Sequence, residues 1–457
     1  KKKLNYLFNS RILNKITKSK KFYKFDGLSI DSREVKKDNL FLAIKGKIND
    51  GNQFINKAIR NGASYVISSK SKKRFKNKVI KVDNCISFLN KLAKLKRESC
   101  NAKILAITGS AGKTSLKNML NALLSKHKNT YSSPRSFNNH YGVPISLSNL
   151  RYDHRFGVFE VGMSKSGEID KLSKIVRPHL AIITNVAEAH IENFKNINGI
   201  ANAKGEIINN IQNNGTIILN RDDRFFHYLN KKAKSKNIKV ITFGKSKYSD
   251  IKLLKIKRLH KFNRITVQTK EEHLKFETKN INIYNVLASL AVLKELKFDL
   301  KKEIKEFKKI NPSDGRGKIH LIKRYKKNFK LVDESYNANP FSMKNALMNY
   351  SQIKKNGSKK YLFLGDMLEL GKKSEFYHKQ LSKLINSSDI DKVFIKGEKT
   401  LFTYKNLKKD KRGNILQCDQ DVDLILKKII ANNDYLMIKG SNASGLNAIT
   451  KAMIKGD

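Results

Sequence analysis

Residues 103–115 read Lys-Ile-Leu-Ala-Ile-Thr-Gly-Ser-Ala-Gly-Lys-Thr-Ser, and no other stretch restricts the fold so tightly. An apolar run of strand length enters a glycine turn, and an apolar, lysine-studded run from Leu116 to Leu124 follows with helical character. A strand feeding a helix through such a turn is the unit of a parallel α/β sheet. The first N–H groups of the helix lack intrahelical partners and form a seat for an anion. The turn is shorter than the common phosphate loop, G-x-x-x-x-G-K-[ST]: Ile107 stands where that pattern has its first glycine. In this compressed cradle of Gly109, Ser110, Ala111, Gly112, Lys113, Thr114 and Ser115, the ammonium of Lys113 is expected to reach the β/γ-phosphates of a nucleotide. The hydroxyl of Thr114 is expected to coordinate Mg²⁺.

Strand and helix patterns alternate over most of the 457 residues, a length that suits about three domains. Strands are expected at 40–44, 65–68 and 79–82, then at 103–108, 157–162, 180–184, 215–219 and 238–243. Residues 250–278 carry strand patterns without helices and predict an antiparallel ribbon, followed by helical runs at 283–296 and 301–309. Asn311-Pro312-Ser313-Asp314-Gly315 is the clearest linker in the chain. Beyond it a third βα series is expected, with strands near 319–323, 329–333, 360–364, 392–395 and 435–438. The expected architecture is α/β in three domains: 1–100, 101–314 as a parallel-sheet nucleotide domain, and 315–457 as a Rossmann-like domain.

The net charge of +56 raises the possibility of a nucleic-acid-binding ATPase. Only 16 of the 95 basic residues are arginine, and the charge is spread along the chain without interleaved aromatics. A solvated lysine surface is the better reading, with no nucleic-acid partner. Cys85, Cys100 and Cys418 are too far apart to form a metal pair or a disulfide framework. Asn9, Arg11, Asn14 and Lys15 interrupt the apolar core a secretory leader needs. No apolar run is long enough to insert in a membrane, so a cytoplasmic protein is expected.

Polar residues gather where strands end, the place where open α/β sheets bind ligands. Glu160 closes one strand, and one or two carboxylates beside phosphate oxygens suit Mg²⁺. His190 lies just past another strand. Lys204, within Ala203-Lys204-Gly205-Glu206, reads by composition as one more surface lysine. Asp333 and Glu334 run into the dense turn Ser335-Tyr336-Asn337-Ala338-Asn339, and Pro340 suits the first turn of a helix. Gly365-Asp366-Met367-Leu368-Glu369-Leu370-Gly371 and Lys439-Gly440-Ser441 also follow strands.

In their order and spacing these motifs resemble the Mur ligases. The resemblance covers essentially the whole chain, from Asp31-Ser32-Arg33, Gly46 and Asp50-Gly51, through the compressed loop, Asn138-Asn139, Asn185-Val186 with His190 and the Lys204 run. It continues through Gly315-Arg316-Gly317 to Lys439-Gly440-Ser441. Folylpolyglutamate-type synthetases share the central and third domains but lack the first. The resemblance implies a monomeric ATP- and Mg²⁺-dependent amide ligase working through an acyl phosphate. Its substrates would be UDP-N-acetylmuramoyl-tripeptide and D-alanyl-D-alanine. It further implies that Lys113 contacts phosphates, that Thr114 and Glu160 hold one Mg²⁺, and that His190 binds a second metal. Lys204 falls where relatives carry a carbamylated lysine. Asn282 and Asn285 would approach adenine, and Arg316, Asp333 and Glu334 phosphate and ribose. Ser32, Arg33, Gly46, Asp50, Asn138, Asn139, Tyr336, Asn337 and Asn339 fall at substrate positions. The chain departs from the family pattern at Ala111, Ile281, Glu334 and Asn442.

Overall fold

The computed structural model describes residues 10–17, 21, 23–46, 49–70, 73–259, 262–353, 355 and 357–456. Asn9 lies outside these, whereas Arg11, Asn14 and Lys15 fall within the helix Ser10–Thr17. Three sheets follow one another along the chain. The first has four parallel strands in sequential order, Leu28–Ser29, Asn39–Leu42, Ala63–Ser68 and Val79–Lys81.

The second sheet has nine strands, with Lys103–Thr108 between Phe156–Glu160 on one side and Leu180–Ile183 on the other. Successive strands therefore leave Lys103–Thr108 in opposite directions, and the carboxyl ends open a crevice at that reversal. Thr216–Asn220, Lys239–Gly244 and Ile251–Arg258 extend the parallel array on the Leu180 side. Asn263–Gln268 and His273–Thr278 then add the antiparallel ribbon expected for 250–278. Side chains alternate across Lys103–Thr108, so Ile104 and Ala106 enter one apolar cluster and Leu105 and Ile107 the other.

The third sheet corrects the expected βα series. Lys318–Arg324 and Lys327–Asp333 pair antiparallel as a hairpin, turning at Tyr325 and Lys326 with φ of 53° and 58°. Two consecutive residues at positive φ suit the twist of a two-residue hairpin, but neither is the Gly or Asn that announces such a turn. Tyr435–Lys439, Lys360–Gly365, Lys392–Lys396 and Arg412–Ile415 complete the sheet in parallel. Arg412–Ile415 and Thr130–Ser132 escape sequence reading because both are short edge strands without a buried alternation.

The first sheet is fastened to the second. Arg97 donates to the carbonyls of Val176 and Arg177, both at 2.7 Å. The Leu28 N–H donates to Asn149 Oδ1 at 2.8 Å. Ile145 and Phe137, from the central part of the chain, pack into the core of the first sheet.

His179 makes one junction pH-sensitive. Its neutral Nδ1 accepts the Ile104 N–H at 2.8 Å. Burial, with Arg97 and Lys103 nearby, lowers its pKa from 6.5 to about 4. Between those values the unfolded chain binds the extra proton, so this contribution is whole above about pH 6.5 and drains away as pH falls toward about 4. With the ring partly exposed, a loss of roughly 1 kcal/mol by about pH 5 is expected as a falling Tm. A His179→Gln variant, which can still accept through its amide oxygen, should decline less steeply. Identical slopes would clear His179 of the effect.

Candidate active site

The compressed loop works because its missing glycine is not needed. Ile107 is a fully buried strand residue, and the turn begins only at Gly109. Gly109 has φ of 143°, and a Cβ there would fall 1.9 Å from Thr184 Oγ1. Gly112 has φ of 86° and caps the helix Lys113–Leu124. Both positions demand glycine. Asn185 grips Ala111 from both sides, accepting from its N–H and donating to its carbonyl, each at 3.0 Å. Backbone atoms make these contacts, so Ala111 serves without the side chain of the family pattern. Ser110 Oγ likewise donates to the Ala187 carbonyl and accepts the Ala187 N–H, both at 2.8 Å.

Lys113 folds over the loop and donates to the Gly109 carbonyl at 2.6 Å. Burial lowers its pKa, and the carboxylate of Glu160 works against that shift. Thr114 Oγ1 donates to Glu160 Oε2 at 2.6 Å, and Asn138 donates to Glu160 Oε1 at 2.7 Å. Glu160 is buried at the carboxyl end of its strand. Its oxygens and the Thr114 hydroxyl are hard donors facing the phosphate loop, the set that Mg²⁺ favours.

The third domain closes onto this group. Arg316 donates to Thr114 Oγ1 at 3.0 Å and lies 4.2 Å from the centre of the Tyr336 ring. Tyr336 donates to Ser136 Oγ at 2.7 Å, and that hydroxyl lies 3.2 Å from Thr114 Oγ1. Asn339 starts the helix Pro340–Ser351 with a capping box and also donates to the Ser110 carbonyl at 3.3 Å. A cavity of about 260 Å³ lies beside the loop, lined by Ser115, Asn118, Asn282, Asn285, Ser313 and Arg316. Asn282 caps the helix Ile283–Glu295, while Asn285 donates to the Gly112 carbonyl at 3.2 Å.

Lys204 is buried near the end of the helix Ile197–Gly205, and its side-chain amine makes no hydrogen bond or ion pair among the described residues. Burial and, secondarily, the charge of Lys113 push its pKa well below the usual lysine range. That overturns the surface-lysine reading of composition. His190 does not join Glu160: its Nδ1 lies 2.6 Å from Glu369 Oε2 of the third domain. Among the described residues, no group of three or more His, Cys, Asp or Glu is arranged to hold a metal ion.

Three domain models of one family match the chain in order. The Mur ligase catalytic domain matches residues 24–97, the Mur ligase middle domain 107–293, and the Mur ligase glutamate ligase domain 319–442. A UDP-N-acetylmuramoyl-tripeptide–D-alanyl-D-alanine ligase of Rickettsia prowazekii is 32% identical over 92% of this chain and 94% of its own length. The chain belongs to the Mur ligase family. Among solved structures, a crystal structure of MurF from Acinetobacter baumannii superposes with a TM-score of 0.85 at 26% identity, covering 98% of this chain and 99% of that one. MurF of Thermotoga maritima in complex with ADP shares the fold, with a TM-score of 0.80 at 24% identity over 94% and 97% of the two chains.

In this Mur ligase several sequence-derived site residues spend their hydrogen bonds locally. Asp333 accepts from the N–H of Gly315 at 2.6 Å and from Ser335 Oγ at 2.7 Å. Glu334 instead meets Lys439 at 3.3 Å, and Lys439 also donates to the Asn337 carbonyl at 3.1 Å. Asn337 Oδ1 accepts the Ala338 N–H, and Asn139 Oδ1 accepts the Gly142 N–H at 2.9 Å. In the first domain Arg33 forks onto Asp31 and holds that carboxyl below the usual range. Ser32 is buried beside it. The Gly46 N–H donates to the Asn49 carbonyl at 2.8 Å, and Asp50 caps the turn Gly51–Phe54. None of these four makes a hydrogen bond to the Lys113–Glu160 group among the described residues.

Three residues of the Mur ligase site were not singled out from sequence. Ser136 bridges Thr114 and Tyr336, and nothing marks it among the chain's serines. Lys117, one helical turn beyond Lys113, donates to the carbonyls of Ser133 and Arg135 at 2.6 and 2.5 Å and so fixes the segment that carries Ser136 and Asn138. Its spacing of four from Lys113 was the available signal. Glu369 lay in a motif that sequence reading noticed without giving it a role.

Proposed function

We propose that this Mur ligase joins D-alanyl-D-alanine to UDP-N-acetylmuramoyl-tripeptide at the expense of ATP, completing the pentapeptide precursor of peptidoglycan. The observation that carries the reading is the Arg316–Thr114–Glu160 chain, which brings third-domain charge onto the helix start of a phosphate loop. A carboxylate is a poor electrophile. Transfer of the ATP γ-phosphoryl group to the tripeptide carboxylate gives an acyl phosphate and ADP. The dipeptide amine attacks the acyl carbon, phosphate leaves with the C–O bonding pair, and the amine gives up a proton. Phosphoryl transfer asks the protein mainly for alignment and charge neutralisation. Holding the reactants in line is worth about 7–11 kcal/mol.

Lys113 exchanges its contact with the Gly109 carbonyl for the phosphates. Thr114 and Glu160 hold one Mg²⁺, which supplies charge neutralisation at the phosphoryl oxygens. Asn282 and Asn285 line the base side of the cavity and Arg316 its phosphate side, while Glu334, outside the cavity lining, would have to leave Lys439 to reach the ribose. Lys204 acts as its carbamate. A buried amine with no counter-charge is ready to take up CO₂ and release a proton, which turns a neutral amine into an anion beside Lys113. His190 serves a second metal. Ser32, Arg33, Gly46 and Asp50 hold the uridine nucleotide, and Asn138, Asn139, Tyr336, Asn337 and Asn339 the peptide side.

The working units are 1–100 for the nucleotide substrate, 101–314 for ATP and 315–457 for the incoming dipeptide, acting in a cytoplasmic monomer. Among the described residues, no helix is long and apolar enough to cross a membrane. With purified protein, ADP release is expected only when ATP, the nucleotide tripeptide and D-alanyl-D-alanine are all present. Equal release with a free amino acid in place of the dipeptide would reassign the substrate. A steep salt dependence together with nucleic-acid-stimulated ADP release would replace the reading altogether.

A further inference from the structure

We infer that Glu369 is a positioning residue that couples closure of the third domain to the orientation of the His190 ring. The two meet across the domain boundary, with His190 Nδ1 2.6 Å from Glu369 Oε2. Both are held at positive φ, 58° and 62°, a conformation uncommon for residues other than glycine. Strain of this kind persists only where the surroundings fix it, and it gathers at working sites.

The surroundings do fix it. On the third-domain side the Met367 N–H donates to His378 Nε2 at 3.1 Å, and the Leu368 N–H to Ser441 Oγ at 3.0 Å. Asp366 Oδ1 accepts the Thr400 N–H at 2.8 Å. On the central side the Val186 N–H donates to Asp223 at 2.7 Å, and Ala187 is locked to Ser110 of the phosphate loop. The Glu192 N–H donates to the Glu369 carbonyl at 3.3 Å, a second tie across the boundary. Met367, Leu370 and Ile191 share one apolar cluster beneath it.

A rigid path therefore runs from the phosphate loop through Ala187 and His190 to Glu369. Nδ1 is buried, and the Glu369 carboxylate faces it at 2.6 Å without the alignment of a full hydrogen bond. Brought into line, that carboxylate selects the tautomer protonated at Nδ1 and leaves Nε2 as the lone-pair nitrogen. A carboxylate behind a histidine commonly fixes its tautomer and ring angle. Here the carboxylate arrives from another domain, so the ring is set only when that domain is in place. The role of Glu369 in turnover rests on the function proposed for His190; its grip on the ring does not.

The test uses Glu369→Gln in the full chain, with Glu369→Asn as a second variant that tolerates positive φ. In ¹⁵N-histidine-labelled protein without ligands, the His190 resonances, identified by their loss in His190→Ala, are expected to move away from the Nδ1-protonated pattern in both variants. Tm should stay within a few degrees, because the Glu369 carboxylate is half-exposed. kcat/KM is expected to fall about 10- to 100-fold, and adding Glu369→Gln to His190→Ala should cost nothing further. Unmoved His190 resonances, or full additivity of the two substitutions, would overturn the inference. A wild-type protein that fails to ligate the dipeptide would sink the proposed function, and the resonances would still decide the contact.

Discussion

A Lys113→Ala variant is expected to lose ligation, with kcat/KM down by at least about 10³-fold and ADP release at background. Its ammonium is the cation that lies over the loop, donating to the Gly109 carbonyl. A single preorganised donor facing developing charge is worth about 10²–10³-fold, and Lys113 adds a full charge to that. The fold should not suffer. Burial already works against the charged form, so removing the ammonium relieves desolvation while losing one hydrogen bond, and Tm should move by only a few degrees. The combination of lost turnover and retained Tm separates a phosphate-binding role from a structural one. Turnover near the wild-type rate would remove Lys113 from the mechanism.

Lys204→Ala is expected to be nearly as severe, about 10²–10³-fold in kcat, but partly curable. If the residue works as a carbamate, what the reaction loses is a carboxylate at the end of a buried aliphatic stem. Removing that stem leaves room for a small acid, so formate, acetate or propionate should restore part of the rate in a saturable way. Chloride at matched ionic strength should not. The same variant measures the cost of burying this side chain, because an unpaired buried amine destabilises a fold. Tm is therefore expected to hold or rise. Full activity in Lys204→Ala would leave the residue as a buried lysine without a chemical role.

The strand–glycine–helix unit at 103–124 was legible because glycine, lysine and apolar spacing each leave a local mark. The carboxyl-end rule then brought Glu160 and the Ser335–Pro340 turn into view. The strands of the 318–333 hairpin were legible but their antiparallel pairing was not, because Tyr325 and Lys326 adopt positive φ without the residues that usually signal such a turn. Nor was the burial of Lys204, since composition cannot tell one lysine among many from another; only the family resemblance singled it out. Glu369 needed the fold itself, for its partner lies 179 positions earlier in the chain, at His190. Local chemistry can be read in a sequence, whereas a contact between domains leaves no periodicity to find.

The break in sequence pattern near residue 100 is not a break in the solid. The segment 137–149 carries Asn138 to Glu160 at one end, while Phe137 and Ile145 fill the core of the first sheet. Removing residues 1–100 would strip the cover from those apolar side chains and take away the Leu28 partner of Asn149. Such a fragment should aggregate rather than survive as a free-standing nucleotide-hydrolysing module. The first domain is thus part of the scaffold of the Glu160 carboxylate, and exchanging it for a foreign substrate domain would require residues 137–149 to travel with it.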